Sequence, residues 1–136
     1  MNVLPKDIAS VLGGKQTLGR DVRDYADLDA VIESGLPAAA VARVKELFKG
    51  REELELYRSL FMARHAGVDR SRKLERVARL YSLALSIFGD AEPAKEFLFT
   101  PHDRLGKRAP VLLAETELGL KQAEQILDAI AYGMPA

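Results

Sequence analysis

Leu74, Val77, Ala78, Tyr81, Ala84, Leu85 and Phe88 recur at steps of three and four, and the run stops at Gly89. On a helix of 3.6 residues per turn these side chains share one broad face over four turns. Gly89 is a natural left-handed cap at its end. An apolar face that long has to be covered by neighbouring elements, so this helix belongs at the centre of the molecule. No stretch of four to eight residues alternates in the manner of a strand. The covering elements are therefore helices, and the expected class is all-α: a compact multi-helix domain.

The remaining segments are punctuated by Gly and Pro at intervals of about a helix and a turn. Pro5 suits the first position of a short helix that presents Ile8, Val11 and Leu12. Residues 13–20 (GGKQTLGR) read as a loop. Residues 27–34 form a short helix on Leu28, Val31 and Ile32, with Gly35 beyond its end. Pro37 opens a helix on Val41, Val44, Leu47 and Phe48, closed by Gly50. A further helix runs from about Arg51 to His65 on Leu54, Tyr57, Leu60 and Phe61. Asp90 N-caps a helix that has Pro93 in its first turn and turns Phe97 and Leu98 inward. After a turn-rich connector over 100–109, Pro110 starts a short helix to about Thr116, and Gly119 breaks it. The last helix, 120–131, uses Leu120, Ala123, Ile126, Leu127 and Ile130 and ends at Tyr132-Gly133.

Composition narrows the function classes. The 136 residues are 48% hydrophobic and 29% charged, ordinary values for a globular chain, and enough to bury a core without a staple. With no cysteine there are no disulfides, thiolate zinc sites or thiol nucleophiles, which suits a reducing cytoplasm. Twenty Lys and Arg balance twenty Asp and Glu, so no overall charge draws the chain to nucleic acid or to an anionic membrane. The balance is nevertheless uneven along the chain. Residues 64–79 hold six basic side chains against Asp69 and Glu75, whereas residues 110–136 hold Lys121 against Glu115, Glu117, Glu124 and Asp128. Arg72, Arg76 and Arg79, four and three apart, form a stripe on the central helix. That stripe has two readings: a solvated face with internal ion pairs, or a patch for phosphates or an acidic partner.

Tests for catalytic and nucleotide motifs fail. Gly14-Lys15 faintly suggests a phosphate loop, but Gln16 stands where Ser or Thr would bind magnesium, and Ala9 where the first Gly is needed. There is no G-x-S-x-G, no H-E-x-x-H and no dinucleotide fingerprint. The two imidazoles, His65 and His102, sit on separate elements. No carboxylate lies in an apolar setting that marks it for acid–base work. The chain therefore reads as a non-enzyme without metal or cofactor. One DNA-binding pattern survives in part. Ala63-Arg-His-Ala-Gly67-Val68 followed by the basic run 69–79 follows the order of a helix-turn-helix, with Arg70, Arg72 and Lys73 as the side chains that reach a groove.

From the central helix onward the residues resemble a known family. The run Arg76-Val-Ala-Arg-Leu-Tyr-Ser-Leu-Ala-Leu-Ser-Ile-Phe-Gly-Asp90 resembles the opening of the toxin-binding domain of the Xre/MbcA/ParS antitoxins. Ala94-Lys-Glu-Phe-Leu98, Thr100-Pro101, Leu105-Gly106, Arg108-Ala-Pro110 and the run 112–119 (LLAETELG) continue it. Ile126-Leu127, Ile130, Tyr132-Gly133 and Ala136 then close the chain as that family closes. The resemblance covers about residues 74–136, and a ParS-like member fits best. Where the family usually has a Gly pair before the Arg, this chain has Gly106-Lys107. Gly35-Leu-Pro-Ala-Ala-Ala40 matches the opening of the family's helix-turn-helix, but the stretch from there to Arg70 is shorter.

The resemblance implies two regions: residues 1–68, a degenerate Xre-like helix-turn-helix or dimerisation region, and residues 69–136, the toxin-binding subdomain. It implies an antitoxin of a type II pair that covers the active-site cleft of a NAD-consuming RES-domain toxin. The side chains it singles out for the toxin are Arg108, Glu117, Glu124, Asp128, Tyr132, Gly133, Met134 and Ala136. Operator DNA is the second expected partner, through Arg70, Arg72, Lys73, Arg76 and Arg79, with autorepression of the operon as the role. Assembly is expected as a homo-oligomer or a toxin–antitoxin hetero-oligomer.

Overall fold

Before the central helix the chain forms α1 (Pro5–Val11), α2 (Gly14–Leu18), α3 (Tyr25–Glu33), α4 (Ala38–Leu47) and α5 (Glu55–Phe61). The central element, α6 (Gly67–Phe88), runs for 22 residues. It is followed by α7 (Ala91–Phe99), a 3₁₀ turn at Asp103–Leu105, a second at Pro110–Glu115, and α8 (Glu117–Ala131). These are the elements of a computed structural model that describes residues 3–62 and 67–133, and no strand occurs among those residues.

The periodic face of α6 behaves as its spacing dictates. Leu74, Val77, Ala78, Leu80 and Ala84 are wholly buried, and one continuous core runs from Val3, just before α1, and Ile8 within it to Leu127 in α8. The expected division at residue 68 thus falls in the first turn of α6, while the core extends across it. Ser71, also buried, accepts a 2.9 Å hydrogen bond from the Leu36 amide and ties the loop before α4 to α6. Phe48, at the end of α4, is fully buried among the rings of Phe61, Phe99 and Tyr57, at centroid distances of 5.5, 5.3 and 6.2 Å. This aromatic hub joins α4, α5 and the end of α7.

Three segments depart from the sequence expectation. Residues 14–18 form a helical turn instead of loop, because Gly13 and Gly19 take the left-handed conformation on either side and Leu18 reaches the core. The helix expected from about Arg51 starts only at Glu55. The Glu52 carboxylate accepts from the Gly50 amide, and Leu54 donates to the Arg51 carbonyl, so the chain turns once before the helix begins. Its expected end at His65 lies outside the described residues, as does most of the Gly turn of the helix-turn-helix pattern. Gly119 lies inside the first turn of α8 and breaks nothing. The Thr116 side chain accepts from the Gly119 amide at 2.9 Å, an N-cap that starts the helix at Glu117. A Cβ on Gly119 would stand 2.3 Å from the Leu113 carbonyl oxygen, so glycine is required there by the close approach of two backbones.

Candidate functional site

The C-terminal elements are fastened to α6 by its own arginines. Arg76 donates to the carbonyls of Ala114 and Glu115 at 2.7 and 2.6 Å, satisfying the end of the second 3₁₀ turn. Arg79 forms a two-pronged pair with Glu75, at 2.8 and 2.6 Å, and reaches Glu117 at the start of α8 at 2.9 Å. Glu75 is only 5% exposed, so its charge is held almost entirely by Arg79. Burial works against the Arg79 cation, but the hydrogen bonds and charges of Glu75 and Glu117 outweigh it and raise the guanidinium pKa. Arg72 pairs with Asp29 and Glu33 on α3. Arg70 reaches the Leu60 carbonyl at 3.4 Å, and Lys73 is half-buried on the same helix. The stripe Arg72, Arg76, Arg79 thus links α6 to α3, to the 110–115 turn and to α8, three elements distant in sequence.

Of the side chains assigned to the toxin from sequence, Glu117, Glu124, Asp128, Tyr132 and Gly133 lie on α8 or at its end. Glu117, Glu124 and Asp128 share one edge of α8, as their spacing requires. Glu117 is exposed and bound by Arg79; Glu124 is half-buried farther along. Burial raises the Glu124 pKa; Arg79 opposes that, and the neighbouring Asp128, Glu117 and Glu75 charges add to it. Tyr132, 70% exposed, ends α8, and Gly133 takes a left-handed conformation (φ 70°) with its amide bonded to the Ile130 carbonyl. Met134 and Ala136 lie outside the described residues.

Arg108 sits apart, exposed at the base of a tight loop closed by its carbonyl and the His102 amide at 3.1 Å. The loop tip is Gly106-Lys107, both left-handed at φ 66° and 62°. Lys107 is the sole non-glycine residue with positive φ among the described residues. A Cβ at this position is strained, by about 1 kcal/mol.

Two residues important here were missed in the sequence reading. Glu75 had a signal, since it lies between Leu74 and Ala78 on the apolar side and four residues before Arg79. Leu118 is 77% exposed, and its signal was an apolar residue off the Leu120, Ala123, Ile126, Leu127, Ile130 face. Among the described residues no group of three or more His, Cys, Asp or Glu is placed to hold a metal, and no helix is long and apolar enough to cross a membrane.

Comparison with known proteins falls on this same region. Residues 83–133 match the Antitoxin Xre/MbcA/ParS C-terminal toxin-binding domain. Antitoxin Xre of Pseudomonas putida is 36% identical over 66 residues, which are 48% of this chain and 42% of that protein. The matched part of the chain therefore spans less than half the length of that relative. The matched segment holds the end of α6, α7, both 3₁₀ turns and α8, and so includes the 110–115 turn and the start of α8 that Arg76 and Arg79 hold. Over residues 83–133, then, the chain is similar to the toxin-binding domain of the Xre/MbcA/ParS antitoxins.

Proposed function

We propose that the chain is the antitoxin of a type II toxin–antitoxin pair and acts by binding, not by catalysis, in the cytoplasm. Its partner is a RES-domain toxin that consumes NAD by hydrolysis, phosphorolysis or ADP-ribosyl transfer. A cleft that binds the anionic diphosphate of NAD is electropositive. The acidic edge Glu117, Glu124, Asp128 suits such a cleft, and the residues from Tyr132 onward enter it as a plug. The observation that carries this reading is the coincidence of the 83–133 match with that edge and with an exposed tyrosine at the end of α8. Operator binding draws on the basic stripe of α6, where Arg72 is already paired with α3, Arg70 bonded to Leu60, and Arg76 and Arg79 bonded to the C-terminal elements. The toxin-facing end is thus the better supported surface.

The test is co-expression with the cognate toxin, scoring growth and cellular NAD. The full chain should restore both. The chain lacking residues 132–136 should remain folded, because among the described residues the core ends at Leu127, with Ile130 packed against it, and it should fail to protect. Protection by the truncated chain refutes the plug; no protection by the full chain refutes the antitoxin reading itself.

A further inference from the structure

α8 presents a second surface that the acidic edge does not include. Leu118, Gln122, Gln125, Ala129 and Tyr132 are spaced four, three, four and three apart. At 100° per residue they fall within roughly 80° of the helix circumference and extend along it for about 21 Å. Leu118, Gln122, Gln125 and Tyr132 are exposed, with Ala129 half-buried between them. The core side chains Leu120, Ala123, Ile126 and Leu127 point the other way.

The stripe carries no charge, although 29% of the chain is charged and Glu117, Lys121, Glu124 and Asp128 all lie along one flank of it. A solvent face kept for solubility would be laced with charges of both signs. An uncharged strip with an aliphatic anchor at one end, an aromatic one at the other and amides between has the make-up of an interface centre, where charges are depleted.

We propose that this outward face of α8 is the recognition surface for the toxin, and that the tail plug is its continuation and not the whole contact. This rests on the antitoxin reading above. The occupant is the toxin and not a second copy of this chain, because all five residues lie within the segment that matches a toxin-binding domain. The strip is also continuous, through Tyr132, with the tail proposed to enter the cleft. Its uncharged centre docks against an apolar shoulder of the toxin, and the acidic flank beside it meets the electropositive rim.

The experiment uses purified cognate toxin and the full-length chain, with Leu118→Ser and Gln125→Arg as separate variants. Both positions are exposed and outside the tail, so helicity and melting temperature should match wild type. Met62→Ser, which removes another exposed apolar side chain outside the matched segment, is the control. Each α8 variant should weaken toxin affinity by roughly 30-fold or more, as loss of a hot spot does, while Met62→Ser binds within about threefold of wild type. Wild-type affinity in both α8 variants overturns the proposal while leaving the antitoxin reading intact. Absence of binding by the wild-type chain overturns both. Dissociation of a homo-oligomer by Gln125→Arg with toxin affinity unchanged assigns the face to a second copy and likewise overturns the proposal.

Discussion

The charged edge of α6 and the outward face of α8 are both helical surfaces stocked with polar side chains, but the fold uses them in opposite ways. On α6 the guanidinium groups of Arg72, Arg76 and Arg79 are taken up by Asp29, Glu33, Glu75, Glu117 and two backbone carbonyls. On α8 the uncharged strip from Leu118 to Tyr132 faces solvent. The basic run stood out most in the sequence, yet Arg72, Arg76 and Arg79 are all engaged by partners within the molecule. The strip without charge is the one left over for a partner. Local charge density is thus a poor guide to a binding surface until the residues that come to meet it in the fold are known.

The largest expected effect breaks the α6 side of this contrast. Arg79→Ala leaves the nearly buried Glu75 carboxylate uncompensated and should destabilise the protein by roughly 3 kcal/mol, read from denaturant unfolding. A loss near zero would mean that Glu75 finds water and that the edge of α6 is no fastening.

Next comes the seam that holds α8 in place. Gly119→Ala improves helix propensity by up to about 1 kcal/mol, but its methyl group meets the rigid Leu113 carbonyl. A net destabilisation of about 1–2 kcal/mol is expected, together with weaker toxin binding as α8 shifts off the 110–115 turn. A stabilised variant would show that propensity governs this position.

Lys107→Gly should act in the opposite sense. Relief of the left-handed lysine at the loop tip is expected to stabilise by about 1 kcal/mol, measured by the same unfolding curves. This separates backbone strain at the Arg108 loop from the ion-pair energetics of α6.

The smallest effect concerns Glu124, which lies between the two surfaces. Its folded-state pKa is raised by burial, so the folded form holds its proton more tightly than the unfolded chain does. Its contribution becomes more favourable as pH falls from neutral through that raised value, and levels off below the unfolded value. The stability gap between wild type and Glu124→Gln should therefore shift in favour of wild type on going from pH 7 to pH 4. Asp27 titrates with the opposite sign. Hydrogen bonding from the Arg23 amide depresses its pKa, so its contribution is lost as pH falls through the lowered value. Comparing wild type with a single Glu124 variant cancels that background.

Much of the fold was legible because it is local. The register of α6, the Asp90 N-cap of α7, the Pro5 start of α1 and the core face of α8 all follow from spacing and capping within a few residues. What escaped was tertiary. Gly119 looked like a breaker because the carbonyl that excludes its side chain belongs to another element. The partners of Arg76 and Arg79 on the C-terminal elements lie 38 and 39 residues away, and those of Arg72 on α3 39 and 43 away. Of the candidate site, the acidic edge of α8 and Tyr132 were visible in residue type and spacing. The uncharged strip was not, since Gln122, Gln125 and Ala129 carry no signal until helix geometry sets them in line with Leu118.

Hydrogen exchange of the full-length chain, free and saturated with its cognate toxin, compares the two surfaces in a single experiment. Added protection should concentrate in α8 and the residues that follow it, with the amides of residues 72–79 unchanged. Protection centred on α6 or on α1–α4, with α8 exchanging as in the free chain, would contradict the assignment of the toxin to the C-terminal surface.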